Sequence, residues 1–320
     1  MSGATPLPSV LIASGPWDPE PWAEPFRARQ PGRPVLLWPD VPNPEAVRYL
    51  LAWRPPSEVF AALPALDVIF SLGAGVDHIV EVPGLPDVPI VRLADADLTQ
   101  RMNEWVVLQV LLHHRRHLDY ARQQASSLWH ELKQPAAPEV RVGIMGYGEL
   151  GRAAADLLQR LGFQVAAWSR TPKEGAPIET FSGNSGLTPF LQRTDILVVL
   201  LPLTRETRGL LDRSLFDRLA RDGALGGAVL INAGRGGLQV EADILAALDA
   251  GTLIGASLDV FDPEPLPTTS PLWLHPKVVI TPHVSATSEA SVQAANIYRA
   301  IADFEAGRPL RNQIDRLAQY

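Results

Sequence analysis

Cysteine is absent from this 320-residue chain. Without it the chain can form no disulfide, thiolate metal site or cysteine nucleophile, and cysteine usage says nothing about its redox compartment. Basic residues are in the minority, because 28 Lys and Arg face 35 Asp and Glu and give a formal net charge of −7. This balance argues against a general nucleic-acid-binding surface, so any cationic cluster is local.

Long hydrophobic runs are also missing. No stretch of about 18 apolar residues occurs, so the sequence predicts no transmembrane helix and no membrane partner. The first residues, MSGATPLPSVLIASGPW, lack the cationic start and the long apolar core of a secretory signal. We therefore expect a cytoplasmic protein. Internal repeats and low-complexity segments are absent as well.

The length and the 46% hydrophobic content suit about two soluble globular domains. The first hundred residues alternate short apolar runs (SVLIAS, PVLLW, DVIFSLGAG, PIVRL) with proline-rich connections, which predicts a compact α/β unit. From Asn103 to Gln124 the pattern becomes proline-free and predicts one long helix. The run HHRRH at 113–117 lies inside it, and we interpret it as a solvated or interface helix face. Metal binding is disfavoured there, because arginines share the cluster and no H-E-x-x-H spacing occurs.

A second domain follows this helix. Its apolar runs (RVGIM, FQVAAW, DILVVLL, AVLINA, LIGASLDVF, KVVITPH) are separated by segments long enough for helices, which predicts a parallel sheet covered on both faces. A helical stretch, SEASVQAANIYRAIADFEAG, comes after His283 and is expected to return to the first domain. The predicted fold class is α/β, with residues 1–102 plus 287–320 in one domain and 103–286 in the other.

A glycine-rich turn joins the strand RVGIM to the helix-prone RAAADLLQRLG. Gly146, Gly148 and Gly151, with Glu149 and Leu150 between them, match G-x-G-x-x-G. Glycine allows the tight turn, the close approach of a pyrophosphate and the helix-strand contact, and the helix N-terminus offers free N–H groups. A purely structural turn would look alike, but the strand-turn-helix-strand context favours a dinucleotide site.

The strand FQVAAW lacks the acid that usually follows it. A carboxylate expected about 20 residues after the glycine turn would favour NAD. Ser169, Arg170, Thr171 and Lys173 stand there instead and offer hydroxyl and cationic donors to a 2′-phosphate. Arg170 and Lys173 could also be ordinary surface charges. Losing the acid while gaining two cations favours NADP(H), with NAD(H) as the alternative cofactor.

Three polar residues follow late apolar strands: Arg235 in LINAGRGG, Glu264 in LDVFDPEPL and His283 in VVITPHVSA. Ligands of open α/β sheets bind at the carboxyl edge, so the three side chains could meet there. Arginine can hold a carboxylate and polarise a carbonyl, histidine can deliver a proton, and a carboxylate can orient the imidazole. Taken singly, each also fits a structural role: a loop arginine, a Pro-Glu-Pro turn and a strand-end histidine.

At these residues the sequence closely resembles the D-isomer-specific 2-hydroxyacid dehydrogenase family. The matching segments span nearly the whole chain: SLGAGVDHI, GYGELG, LLPLTRETRGLLD, INAGRGG, SLDVFDPEPLP, SPLWLHP and TPHVSA. LAWRPP, LGAGVD, WSRTPK, SPLW and IDRLAQY are most similar to its glyoxylate/hydroxypyruvate reductase A group. The resemblance implies a flavodoxin-like substrate domain, a Rossmann cofactor domain and a cleft between these doubly wound sheets. It also implies NADPH-dependent reduction of glyoxylate to glycolate and of hydroxypyruvate to D-glycerate.

The resemblance also implies a role for each matching residue. Arg235 would bind the substrate carboxylate and keto oxygen, His283 would be the acid/base, and Glu264 its partner. Asp259 would hold the nicotinamide carboxamide with the backbone around Ala233 and Gly234. The remaining implied positions are Leu72, Gly73, Ala74 and Gly75, whose backbone N–H groups would receive the substrate carboxylate, and Leu201, Pro202 and Ser285 beside the cofactor.

Two tryptophans and a helix complete what the resemblance implies. Trp53 would line the substrate pocket, and Trp129 would project towards the site of a neighbouring subunit, although ordinary burial explains either residue nearly as well. Residues 103–124 correspond to the family's dimerisation helix, so a homodimer is expected. Two alternatives stay open: an NAD-dependent dehydrogenase acting on another D-2-hydroxy acid, and a dinucleotide-sensing binding protein without turnover.

Overall fold

The computed structural model describes residues 7–320, and the chain divides into two compact units. The first unit extends to Leu98 and resumes from Ser288 to Tyr320. The second spans Thr99–Thr287. Each unit is built around a parallel β-sheet flanked by helices, as predicted for an α/β protein.

The sheet of the first unit has five strands. They are β1 (Ser9–Ala13), β2 (Val35–Leu37), β3 (Val47–Ala52), β4 (Val68–Ser71) and β5 (Ile90–Val91). All pair in parallel, in the order β2-β1-β3-β4-β5, which is the flavodoxin-like arrangement. The sequence predicted four of them. It missed β3, because a short continuous apolar run such as VRYLLA does not distinguish a buried strand from a buried helix.

The sheet of the second unit has seven strands. They are β6 (Arg141–Met145), β7 (Gln164–Ser169), β8 (Glu179–Ser182), β9 (Ile196–Val199), β10 (Ala228–Asn232), β11 (Leu253–Leu258) and β12 (Val278–Ile280). Their order is β12-β11-β10-β9-β6-β7-β8, again all parallel. The direction of winding reverses between β6 and β9, where open α/β sheets bind their ligands. The missed strand is β8, whose half-exposed ETFS lacks an apolar run.

Strand register determines which residues share the carboxyl edge of this sheet. Val199 pairs with both Met145 and Asn232, Asn232 also pairs with Leu258, and Leu258 pairs with Ile280. The segments that follow these five residues therefore leave the sheet side by side. They carry the glycine turn and each of the predicted catalytic side chains.

Ten α-helices occur in residues 7–320: α1 (Glu20–Arg29), α2 (Glu58–Ala62), α3 (Asp77–Val80), α4 (Ala96–His114), α5 (His117–Ala125), α6 (Glu149–Arg160), α7 (Gly183–Gln192), α8 (Arg213–Phe216), α9 (Glu241–Asp249) and α10 (Ala290–Glu305). None of these described helices is both long enough and apolar enough to cross a membrane. The predicted helix after His283 is confirmed as α10.

Helices cover both faces of the first sheet, and the alternation of side chains along each strand supplies both cores. Val10 and Ile12 of β1 belong to the cluster that contains Phe26 of α1 and Ile297 of α10. Leu11, between them, belongs to the opposite cluster with residues of α2 and α3. Buried on both faces, such strands read as continuous apolar runs.

The prediction of one long helix from 103 to 124 is wrong. Helix α4 begins earlier, where the Asp95 carboxylate accepts the N–H of Leu98, and it ends at His114. The chain changes direction at Arg116, which has φ 53°, before α5 begins. Its guanidinium donates to the carbonyls of Lys133 and Leu225. These long-range contacts stabilise a break that the local pattern does not show.

The solvated-face interpretation of HHRRH is wrong for its first two histidines. His113 Nε2 lies 2.8 Å from Ser257 Oγ of β11, and burial lowers the pKa of His113 to about 4. His114 is 5% exposed and packs edge-on against Phe163. Both side chains therefore belong to the packing of α4 on the second sheet.

Candidate active site

Each glycine of the turn after β6 meets a different geometric demand. Gly146 has φ 111°, and a Cβ there would lie 2.8 Å from the Leu200 backbone. A Cβ on Gly151 would lie 1.9 Å from the Gly146 carbonyl oxygen, so this glycine allows α6 to begin directly against the turn. Gly148 faces open space, with nothing within 4 Å of a Cβ. The turn thus presents the N-terminus of α6 beside open space, as a pyrophosphate-binding turn requires.

The end of β7 carries two hydroxyl residues, Ser169 and Thr171, and two cations. Ser169 is buried, and its Oγ donates to the Thr171 carbonyl, which closes a tight turn. Arg170 is about half exposed and lies 3.9 Å from the carboxylate of Glu206. Lys173 is half-buried. The proximity of Glu206 was not predicted, and a phosphate bound by Arg170 would compete with that weak, exposed pair.

Arg235 stands just beyond β10, in a turn stabilised by Asn232. The buried Asn232 side chain accepts the Gly234 N–H and donates to the carbonyl of Arg235 and to Gln239. The guanidinium of Arg235 donates to the Gly234 carbonyl at 2.8 Å. A Cβ on Gly236 would lie 2.0 Å from the Phe261 backbone, so the next segment packs closely behind the turn.

Asp259, immediately after β11, anchors the loop that carries His283. Its carboxylate accepts the N–H groups of Val284 and Ser285 and the hydroxyl of Thr281. Its carbonyl accepts the N–H of His283 at 2.8 Å. Asp259 is fully buried, so these donors satisfy a carboxylate that would otherwise be costly to bury.

His283 and Glu264 form a direct pair. The histidine Nδ1 lies 3.1 Å from Oε1 and 3.0 Å from Oε2 of Glu264, and Oε1 also accepts the Phe261 N–H. His283 has φ 55°, a conformation unusual for a residue with a side chain, and it is maintained by the hydrogen bonds to Asp259 and Thr281. Because Nδ1 faces a carboxylate, it carries the proton that is donated to Glu264, and Nε2 is the nitrogen left to react.

In the first unit, Ser71 shapes the loop 72–75 that follows β4. Its hydroxyl accepts the N–H of Gly73 at 3.1 Å and donates to the Gly75 carbonyl at 3.0 Å. Gly73 therefore already uses its N–H group. Within residues 7–320, the N–H groups of Ala74 and Gly75 donate to no other residue. These two are the donors that an incoming carboxylate would find.

Trp53 packs directly on this loop. A Cβ on Gly73 would lie 2.4 Å from the Trp53 ring, so glycine is needed for the contact. Trp53 is 6% exposed, stacks on Trp17 at 4.6 Å between ring centroids, and contacts His78 at 4.3 Å. Trp129, in contrast, is completely exposed in the isolated chain.

A family model for the D-isomer-specific 2-hydroxyacid dehydrogenase NAD-binding domain matches residues 107–285, more than half of the chain. A solved NADPH-dependent glyoxylate/hydroxypyruvate reductase from Sinorhizobium meliloti, in complex with NADP and sulfate, is 46% identical over 98% of this chain and 100% of its own, with a TM-score of 0.92. The chain belongs to the D-isomer-specific 2-hydroxyacid dehydrogenase family. The predicted family is thereby confirmed.

Two further members of the dehydrogenase family show the same similarity. A probable 2-hydroxyacid dehydrogenase from Rhizobium etli, in complex with NADP, HEPES and L(+)-tartaric acid, is 47% identical over 98% of this chain and 100% of its own, with a TM-score of 0.93. A D-isomer-specific 2-hydroxyacid dehydrogenase from Xanthobacter autotrophicus, in complex with NADPH and MES, is 40% identical over the same shares, with a TM-score of 0.92. The fold of two parallel α/β sheets is therefore that of the family.

Most of the predicted dehydrogenase residues lie at the carboxyl edge of the second sheet. Leu201 and Pro202 follow β9, Ala233 and Gly234 follow β10, and Ser285 lies on the Asp259-anchored loop. A Cβ on Gly234 would lie 2.7 Å from the Leu201 carbonyl, so these two segments are in contact. The loop 72–75 and Trp53 lie in the first unit. Among the described residues, no cluster of three or more His, Asp or Glu could hold a metal ion.

Sequence reasoning missed the residues that hold the dehydrogenase site in place. Asn232 orients the turn of Arg235, and Thr281 connects Asp259 to Trp105, whose indole N–H donates to the threonine hydroxyl. Both missed residues are polar and lie at or just beyond the end of an apolar strand. That signal identified Arg235 and His283, so it could also have identified these two.

Proposed function

We propose that this dehydrogenase reduces small 2-oxo acids with NADPH, taking glyoxylate to glycolate and hydroxypyruvate to D-glycerate. The observation that carries the proposal is the His283–Glu264 pair, anchored through Asp259 at the same sheet edge as the glycine turn and the Arg235 turn. This set combines a proton donor, a carboxylate-binding cation and a dinucleotide cradle. The S. meliloti reductase, at 46% identity, supports the choice of reaction.

NADP(H) is proposed as the preferred cofactor. The open space at Gly148 is where the pyrophosphate would lie, and Arg170, Thr171 and Lys173 provide donors for the 2′-phosphate. Ser169 closes the turn that carries them, and no carboxylate stands at the end of β7. Relatives from three organisms were solved with NADP or NADPH, which supports this choice. Bound NADPH would supply the hydride. NAD(H) is the secondary cofactor.

The substrate carboxylate is assigned to the loop 72–75, through the N–H groups of Ala74 and Gly75. We assign to Arg235 the substrate's keto oxygen and part of its carboxylate, because a guanidinium offers several donors in a fixed plane. Trp53 is assigned to the wall that limits substrate size. Its ring lies against Gly73 of that loop.

His283 is assigned as the proton donor to the oxygen that becomes an alkoxide. Glu264 holds Nδ1, so the imidazole presents Nε2 to the substrate oxygen as the proton-donating nitrogen. After transfer the ring is neutral and retains its Nδ1 proton. Asp259 acts on this step through the backbone, since it determines the position of the His283 loop.

A homodimer in the cytoplasm remains a prediction from the sequence. The complete exposure of Trp129 favours the dimer, since a large aromatic side chain fully in water is characteristic of an interface. Leu128, beside it, is 56% exposed. Light scattering on the wild-type chain and on Trp129→Ala would test this assignment, and a monomeric wild type would refute it.

The deciding experiment is steady-state kinetics with glyoxylate, hydroxypyruvate and phenylpyruvate, each with NADPH and with NADH. We expect the highest kcat/KM with a two- or three-carbon acid and NADPH. Preference for phenylpyruvate with NADH would support an NAD-dependent dehydrogenase of other specificity. Tight NADPH binding without turnover of any substrate would support a dinucleotide-sensing protein.

A further inference from the structure

A pocket lies within the first unit. Its cavity volume is about 340 Å³, and it opens at the β5 edge of the sheet, between α10 and the segment 309–312 that follows this helix. The catalytic candidates Arg235, Glu264 and His283 all belong to the second unit. Of the residues used in the proposed function, only Ser71, which shapes the loop 72–75, also lines this pocket.

Three arginines line the pocket: Arg92 after β5, Arg299 on α10, and Arg311 in the C-terminal segment. Arg92 is half-buried and the other two are exposed. Arg299 donates to the amide oxygen of Asn296. Across residues 7–320, neither Arg92 nor Arg311 has a carboxylate within ion-pair distance.

The one carboxylate in the wall is already paired. Asp303 accepts two hydrogen bonds from the guanidinium of Arg308, at 2.9 and 2.6 Å. Asp303 is therefore hydrogen-bonded to Arg308, and the three arginines outnumber this one carboxylate in the wall. The cavity is a locally cationic concavity on a chain whose net charge is −7.

The floor of the pocket is apolar. Val91, Leu93 and Ile297 line it and are 7%, 5% and 5% exposed. An apolar base beneath several guanidinium groups suits a ligand with a charged head and a small hydrophobic body, because arginine binds phosphate and carboxylate in a forked geometry. Simple inorganic ions would leave the base uncovered.

We propose that this pocket binds a small organic oxyanion, with its phosphate or carboxylate group on Arg92, Arg299 and Arg311 and its apolar part on Val91, Leu93 and Ile297. Two of its walls are close in sequence to the connections between the units: residues 91–94 precede the crossing after Leu98, and α10 follows the crossing before Ser288.

Isothermal titration calorimetry with phenyl phosphate tests the proposal. The wild-type protein is titrated in saturating NADP⁺ and oxalate, so that the proposed cofactor and substrate sites are filled. We expect one binding event that weakens with added salt, as exposed charge pairs do. Inorganic phosphate, which lacks the apolar body, should bind more weakly, and phenol, which lacks the charge, should not bind. Binding of inorganic phosphate as tight as that of phenyl phosphate would overturn the apolar-floor part of the proposal.

The variants are Arg92→Gln and Arg311→Gln, with Arg29→Gln as control. Arg29 is an exposed arginine of α1 in the same unit that does not line the pocket. Each pocket variant should weaken phenyl phosphate about tenfold or more, the usual scale for a hydrogen bond to a charged group, and Arg29→Gln should not. Because binding is measured directly, the outcome does not depend on whether the protein turns over 2-oxo acids.

Two results would overturn the proposal. One is the absence of phenyl phosphate binding by the wild-type protein at millimolar concentrations. The other is an equal loss of affinity in Arg29→Gln and Arg311→Gln, which would show that the net charge of the protein alone causes the loss. Arg311 is exposed, so its variant should keep the wild-type melting temperature and remain interpretable even if Arg92→Gln does not fold.

Discussion

Nδ1 of His283 faces both carboxylate oxygens of Glu264, at 3.1 and 3.0 Å. This relationship fixes the tautomer of the imidazole and makes Nε2 the nitrogen available to the substrate. The same carboxylate accepts the Phe261 N–H, so Glu264 is itself restrained. The pair depends on this folded arrangement, because the two residues lie in separate loops.

His283→Ala should lower kcat by about 10²–10⁴, the usual contribution of a general acid, while NADPH affinity is largely retained. Glu264→Gln keeps an acceptor for Nδ1 but removes the charge, so its loss should be smaller than that of Glu264→Ala. Steady-state kinetics with fluorescence titration of NADPH would check both. The control is Glu174→Gln at an exposed position. Wild-type turnover by His283→Ala would remove this residue from the mechanism.

Two glycine variants separate cofactor binding from folding. Gly148→Ala adds a methyl group to open space, so the melting temperature should hold while NADPH affinity falls, because the methyl occupies the volume assigned to the pyrophosphate. Gly151→Ala should destabilise the fold itself, since its Cβ would lie 1.9 Å from the Gly146 carbonyl. Thermal melts and NADPH titration distinguish the two. Unchanged affinity in a well-folded Gly148→Ala would contradict the pyrophosphate assignment.

Arg170→Ala should raise KM for NADPH and change NADH kinetics little, because only NADPH carries the 2′-phosphate. The expected loss is about 1.5–3 kcal/mol, the scale of a hydrogen bond to a charged group. Arg160→Ala removes an exposed arginine of α6 that pairs with Asp156 and serves as the matched control. Equal losses with the two cofactors would show that the 2′-phosphate assignment to Arg170 is wrong.

Asn232 should affect catalysis without touching the substrate. Asn232→Ala leaves the Gly234 N–H and the Arg235 carbonyl without their partner, which should cost about 1–3 kcal/mol of unfolding free energy. Because the turn carrying Arg235 loosens, kcat/KM should fall as well. Asn232→Asp keeps the acceptor for Gly234 but loses both donor contacts and buries a charge, so it should not restore stability. Urea denaturation and steady-state kinetics provide the measurements. If Asn232→Ala is destabilised but keeps the wild-type kcat/KM, the role of Asn232 is limited to the stability of the fold.

The stability of the protein should fall in mild acid because of His113. Burial lowers its pKa from the ordinary value of 6.5 to about 4, so the unfolded chain binds a proton between these values while the folded chain does not. Unfolding free energy should therefore decrease as pH falls from about 6.5 to about 4, by at most about 3 kcal/mol. Urea denaturation of the wild type and of His113→Gln across this range checks the prediction. Identical pH slopes for the two proteins would contradict it.

The local pattern of apolar residues was enough to predict most of the β-strands. Runs such as VLIA in β1 and AVLI in β10 are apolar at every position because both faces of a covered parallel sheet are buried. β8 went unpredicted because an edge strand with half-exposed residues needs no such run. The single helix predicted over 103–124 failed because the break at Arg116 is stabilised by carbonyls distant in sequence.

By itself, the sequence determined the chemical inventory: the glycine turn, the missing acid after β7, and the Arg, Glu and His that follow apolar strands. These follow from residue type and from the rule that parallel strands end at one edge. Only the tertiary structure decided how the inventory is assembled. Strand register brings Asn232 beside Leu258, and Asp259 then anchors the loop of His283. Hydrogen bonds between residues far apart in the chain have no local signature, so folding alone reveals them.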